Sequence, residues 1–132
     1  MSLVHCFSII ENEEKIEKVD VPDALINYIK DSILWIVSMW NGKKLNNGLP
    51  YYGEALIEGD EIVKFKMIMK KWRELFALAT EEIRLTGNFL IDDMEYEKII
   101  YKKSELLEII DNLIQLCNKA ETMKYSILFE GI

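Results

Sequence analysis

The stretch PDALINYIKDSILWIVSMWNG, Pro22–Gly42, decides where the first helix lies and how much chain is left for a sheet. Pro22 suits a first helical turn, because its missing N–H would have had no intrahelical partner there. Leu25, Ile29, Ile33, Ile36 and Trp40 recur at spacings of three and four, which puts them on one helical face. Leu34, Val37 and Met39 widen that stripe, so the second half is expected to be covered on most sides. Gly42 can adopt a left-handed conformation and is expected to close the helix. Ile33–Trp40 is the most apolar part of the chain, but it is too short to span a bilayer and has Lys30 and Asp31 just upstream. It reads as a core helix segment.

Upstream, Leu3–Ile10 is apolar on both alternating sets, as a central strand buried on both faces would be. Glu11–Asp20 carries Glu11, Glu13, Glu14 and Glu17 against Lys15 and Lys18 and reads as a solvated connection. Downstream, Asn46, Asn47, Gly48 and Pro50 mark a loop, and Tyr51–Ile57 is a short strand or an irregular segment. A helix is predicted from near Asp60, with Ile62, Phe65, Met69, Trp72, Phe76 and Ala79 on its buried face. Val63, Phe65, Met67 and Met69 also alternate as a strand would, but the helical spacing persists for about five turns and decides the reading. Ile83, Leu85 and Phe89 suggest a strand interrupted at Gly87, Tyr96–Tyr101 a second, and the link with Asp92 and Asp93 an antiparallel hairpin. Ser104 is the expected N-cap of a last helix with Leu106, Ile110, Leu113, Cys117 and Ala120 inward, after which Tyr125, Ile127 and Phe129 alternate in a closing strand. The fold expected is α+β: a mainly antiparallel sheet of about four strands packed against about three helices. No repeat or linker divides residues 1–132, so a single domain is expected.

Sixteen basic residues face 23 acidic ones, a net charge of −7. A field of that sign repels phosphate backbones and anionic lipid, so neither nucleic acid nor membrane is an expected partner. The balance is uneven: residues 1–61 and 81–132 are acidic, and the stretch 62–80, with Lys64, Lys66, Lys70, Lys71 and Arg73, is basic. Cys6 and Cys117 are the only cysteines and are expected to be free thiols. With no basic-then-apolar leader at the start, a cytoplasmic location is expected.

The motifs that carry catalysis are missing. His5 is the only histidine, and inside an apolar strand it reads as a buried, hydrogen-bonded residue, because a general base needs a positioned partner. Cys6 is adjacent to it, so the two side chains would point to opposite faces of a strand and cannot form a nucleophilic pair. Asp92, Asp93, Glu95 and Glu97 form the densest acidic cluster, but no Gly sits where a calcium loop needs its turn, and Met94 and Tyr96 interleave. There is no zinc spacing, and the glycines are too scattered for a phosphate loop. No enzyme, metal or cofactor is expected. Trp35, Trp40 and Trp72 lie on or beside apolar stripes and are expected in the core, whereas adjacent Tyr51 and Tyr52 cannot both face one core. At least one of them is available to a partner.

An acidic domain without catalytic groups is suited to covering a basic surface, such as the active site of a nuclease. In Trp72–Ala79, in YEKIIYKKSELLEIIDNLIQLC (Tyr96–Cys117) and in the closing ILFEGI (Ile127–Ile132), the chain resembles the small acidic immunity proteins of bacterial polymorphic and contact-dependent growth inhibition toxin systems. That resemblance is of texture, without an invariant motif, and it implies inhibition of a cognate toxin domain inside the producing cell. From the charge pattern, the expected contact residues are Glu58, Asp60, Glu61, Asp92, Asp93, Glu95 and Glu97, with Tyr51 and Tyr52 as aromatic anchors. The competing expectation is a small ligand-binding or regulatory domain, with aromatic and Met side chains lining a pocket.

Overall fold

The computed structural model describes residues 3–132, and of Asn88 the backbone alone. Its order is β1 (Val4–Glu11), β2 (Glu14–Pro22), α1 (Asp23–Ile33), β3 (Val37–Trp40), β4 (Lys44–Asn47) and β5 (Glu54–Ile57). Then follow α2 (Asp60–Ala77), β6 (Glu82–Leu90), β7 (Glu95–Lys102), α3 (Lys103–Met123) and β8 (Ser126–Glu130). The α+β class with three helices and antiparallel pairing is as the sequence implies. The strand count is not: six strands form one sheet in the order β2-β1-β8-β5-β3-β4, and β6-β7 stand apart as a two-stranded sheet.

Two misread segments account for most of the difference. Glu11–Asp20 is a turn and an edge strand rather than a solvated connection. Asn12 and Glu13 both take positive φ, a two-residue turn that lays β2 back on β1, with Glu11 opposite Glu14. The alternating charges of β2 are what an edge strand needs to resist further pairing, while Val19 and Val21 face the core. The helix expected over Pro22–Gly42 ends at Ile33, and Val37–Trp40 is a strand. Val37 and Met39, which widened the helical stripe, share one face of that strand, and Leu34 lies in the turn that follows α1. Asn41 and Gly42, both at positive φ, turn β3 into β4 rather than capping a helix.

The helices cover one face of the large sheet. Phe7, Ile9, Val21, Ile57, Ile127 and Phe129 meet Leu25, Ile29, Phe65, Met69, Leu113 and Cys117 in one buried cluster. The opposite face, with Cys6, Ile10, Leu56, Met39 and Leu128 by register, is half-buried and carries a Lys15–Glu130 ion pair at 2.5 Å. α3 starts at Lys103 without a side-chain cap, so Ser104 lies in its first turn rather than at the N-cap. Of the tryptophans expected in the core, Trp40 and Trp72 are half-buried and Trp35 is 67% exposed. Among the described residues no helix is long and apolar enough to cross a membrane.

Candidate functional site

The β6–β7 hairpin is anchored at its base and free at its tip. Ile83 and Leu85 of β6 are buried, β6 packs on α1, and Ile99 and Tyr101 of β7 join the core margin. Burial, with the nearby charges of Glu105 and Asp23, raises the Tyr101 phenol above its usual range. Beyond Thr86 the register shifts, and Phe89 comes to face Tyr96. A bulge of this kind re-aims the side chains that follow it. Here it gathers Phe89 and Tyr96 on one face, with ring centroids 5.1 Å apart.

At the turn, Ile91 is 78% and Met94 73% exposed, with Asp92 and Asp93 between them. Met94 holds the turn at positive φ. Asp92, Asp93 and Glu95 are exposed, and among the described residues none forms an ion pair. Glu97 differs: it is half-buried on the face shared with Ile99 and Tyr101, where a Cβ on Gly87 would come within 2.9 Å of its carboxylate. The tip is therefore an apolar and acidic surface whose charges are not locally neutralised, a composition suited to docking a basic macromolecule.

The remaining expected residues lie elsewhere. Glu58, Asp60 and Glu61 surround the start of α2, where Asp60 and Glu61 complement the helix dipole and Glu61 pairs with Lys64 at 3.5 Å. Glu58 shares a cleft with Glu121 and Lys124 at the end of α3, whereas the hairpin feeds directly into that helix's start. Twenty-one residues of helix separate the two, about 30 Å. The acidic start of α2 and the hairpin's base thus lie at opposite ends of α3.

Tyr51 and Tyr52 make an edge contact at 4.8 Å but have different roles. Tyr52 is 72% exposed. Tyr51, itself 38% exposed, is tied in through its backbone, whose carbonyl accepts from Ile132 N–H, and burial, with the nearby charge of Asp23, raises the phenol's pKa. Asp23 also accepts from His5 Nε2 at 2.8 Å and Asn27 Nδ2 at 3.0 Å. His5 is completely buried, stacked on Phe129 and met edge-on by Tyr51, and its Nδ1 has no partner among the described residues. A cavity of about 280 Å³ lies beside this cluster, lined by Ile26, Ile33, Leu34, Leu49, Tyr51 and Phe129 together with the polar His5, Asn27, Lys30 and Asp31. Sequence reasoning anticipated a hydrogen-bonded His5 but not the cavity, which needs the Leu49–Tyr51 segment to fold over α1.

Compared with protein-family models, curated proteins and solved structures, the chain matches none. The site must therefore be interpreted from its own chemistry. Among the described residues no cluster of three His, Cys, Asp or Glu could hold a metal ion. Cys6 and Cys117 are free thiols, and burial raises both; Cys117 is pushed up to about 12. A thiol so held is protonated at neutral pH and is a poor nucleophile.

Proposed function

We propose that this chain is an immunity protein that binds and neutralises a cognate bacterial toxin domain, with the hairpin tip as the leading contact. The observation that carries this reading is the tip itself. Phe89, Ile91, Met94 and Tyr96 are exposed beside the carboxylates of Asp92, Asp93 and Glu95. Glu17, Glu61, Glu74, Asp111, Glu121 and Glu130 each have a lysine or arginine partner, while among the described residues Glu13, Glu58 and Asp60, like the tip's carboxylates, have none, so what sets the tip apart is its exposed apolar side chains. Apolar anchors supply affinity and unpaired charge supplies steering, the division of labour found at protein interfaces. A nuclease fits such a surface because its own site must be basic to hold phosphates.

The direct test is protection. The polypeptide encoded next to this chain's gene is expressed with and without it, and the chain is expected to restore growth and to co-purify with that polypeptide. I91D/M94D should lose both while keeping its circular dichroism. Toxicity unrelieved by the wild-type chain would defeat the proposal.

The His5 cleft supports a second reading, a small-ligand domain. Its apolar lining and an unpartnered ring nitrogen suit a compact molecule bearing one N–H or O–H donor. Indole is a usable probe: a shift of the His5 ring resonances that 1-methylindole fails to produce would favour this reading.

A further inference from the structure

A second exposed apolar surface lies on the other side of α1. A groove of about 340 Å³ runs between α1 and α2, lined by Trp35, Met67, Ile68, Trp72 and Leu75, with Lys64 and Lys71 on its rim. Trp72 Nε1–H donates to Ser32 Oγ at 2.8 Å, which satisfies the polar edge of the indole at the wall of the groove. Trp35 is held at its mouth: its N–H donates to Ser32 O, and its carbonyl accepts from Lys64 Nζ at 3.2 Å. An indole on a backbone held this way and left largely in water marks a surface that gains from being covered.

The rim decides what can cover it. Lys64 and Lys71 are seven residues apart on one face of α2, about 10 Å along the axis. Their partners, Glu61 and Glu74, are three residues away on the same helix at 3.5 and 3.7 Å. The Lys71–Glu74 pair is solvated and weak, so Lys71 can exchange its carboxylate for an incoming one at little cost, whereas Lys64, half-exposed at the rim, would meet an incoming carboxylate while keeping its contact with the buried oxygen of Glu61. The fitting occupant carries bulky apolar side chains next to carboxylates. An anionic lipid surface would meet the same lysines, but the chain's net charge of −7 opposes its approach. The hairpin tip of this chain has the required chemistry, with Phe89, Ile91 and Met94 flanking Asp92 and Asp93.

We infer that a second copy of this chain is the occupant, its β6–β7 tip seated in the Trp35–Trp72 groove with Asp92 and Asp93 against Lys64 and Lys71. Each chain then offers one tip and one groove. The contact is heterologous: it closes if two chains exchange tips reciprocally, and it extends into a row if they do not. The inference goes beyond the immunity reading and does not depend on it. If both hold, self-association covers the tip, and a toxin must displace it.

Sedimentation of the full chain from micromolar to millimolar concentration tests this without any toxin. Association is expected to rise with concentration and to weaken with salt. D92K/D93K alone and K64E/K71E alone should each weaken it about tenfold or more. Mixing the two variants should restore it, because each tip then meets a groove of opposite charge. Trp35 fluorescence should shift to the blue in the wild type as association proceeds. Folding of each variant is checked by circular dichroism, and the rescue in the mixture excludes a simple folding defect. A chain that stays monomeric at millimolar concentration overturns the inference. So does association that neither variant weakens, or a blue shift that phosphatidylserine vesicles produce in a monomeric chain.

Discussion

Asp23 does the most with the fewest atoms. It starts α1, where the helix dipole favours a carboxylate, and it accepts from His5 and Asn27. Removing it strands a completely buried imidazole. D23A is therefore expected to lower the unfolding free energy by about 2–4 kcal/mol, and D23N by less, as read by urea denaturation. Equal stability of D23A and wild type would mean that the cluster is incidental. Cys117 gives a second residue-scale expectation. Its thiol ionises at about 12 when folded but near 9 when unfolded. Between those values the unfolded chain holds fewer protons, so stability must fall as pH rises, by about 1.4 kcal/mol per unit above pH 9 from this group. C117A should show a flatter decline from pH 9 to 10.5 than wild type, whatever its stability at pH 7. At this scale the sequence was informative about types and silent about partners. A lone His in an apolar strand signalled burial, but its Asp lies 18 residues away across the sheet's rim.

The elements that were misread failed for a shared reason. Val37–Trp40 and β2 are short or charged strands whose identity comes from neighbours rather than from their own pattern. Ile33, Ile36 and Trp40 keep helical spacing, but Ile36 belongs to the turn before β3 and Trp40 to its far end. The usable signal was Asn41-Gly42, which favours a hairpin turn at least as strongly as a helix stop. α2, α3 and the β6–β7 hairpin were legible because their patterns are long and agree with their turn residues. Tyr51 and Tyr52 were legible as a pair, but which of them is anchored depends on the C-terminus. Gly131 N–H donates to Gly53 O and Ile132 N–H to Tyr51 O. A Cβ on Gly131 would fall 2.3 Å from the Tyr51 carbonyl oxygen, so G131A must push this segment apart. A loss of about 2 kcal/mol or more is expected in thermal or urea unfolding. W35S, by contrast, should change stability by no more than about 0.5 kcal/mol, since the indole it removes is mostly in water. A large loss for W35S would show the ring to be part of the core after all.

For the whole molecule, the question is whether net charge or its placement governs encounter with a basic partner. The charge of −7 was countable from the sequence, whereas the separation of the acidic groups was not. The base of the hairpin and the start of α2 lie at opposite ends of α3, about 30 Å of helix, which exceeds the Debye length of about 8 Å at physiological salt. The basic face of α2 stands among them, so the field is patterned rather than uniform. Two double variants alter net charge equally: D92K/D93K at the tip and E58K/D60K at the start of α2. If the tip guides docking, the first should slow association with the toxin domain about tenfold in stopped-flow measurements at low salt, and the second should change it little. The difference should shrink as salt is added, and dissociation should respond mainly to I91D and M94D. Equal slowing by both double variants would mean that overall charge alone draws the partners together, and the acidic tip would lose its claim to be the docking face.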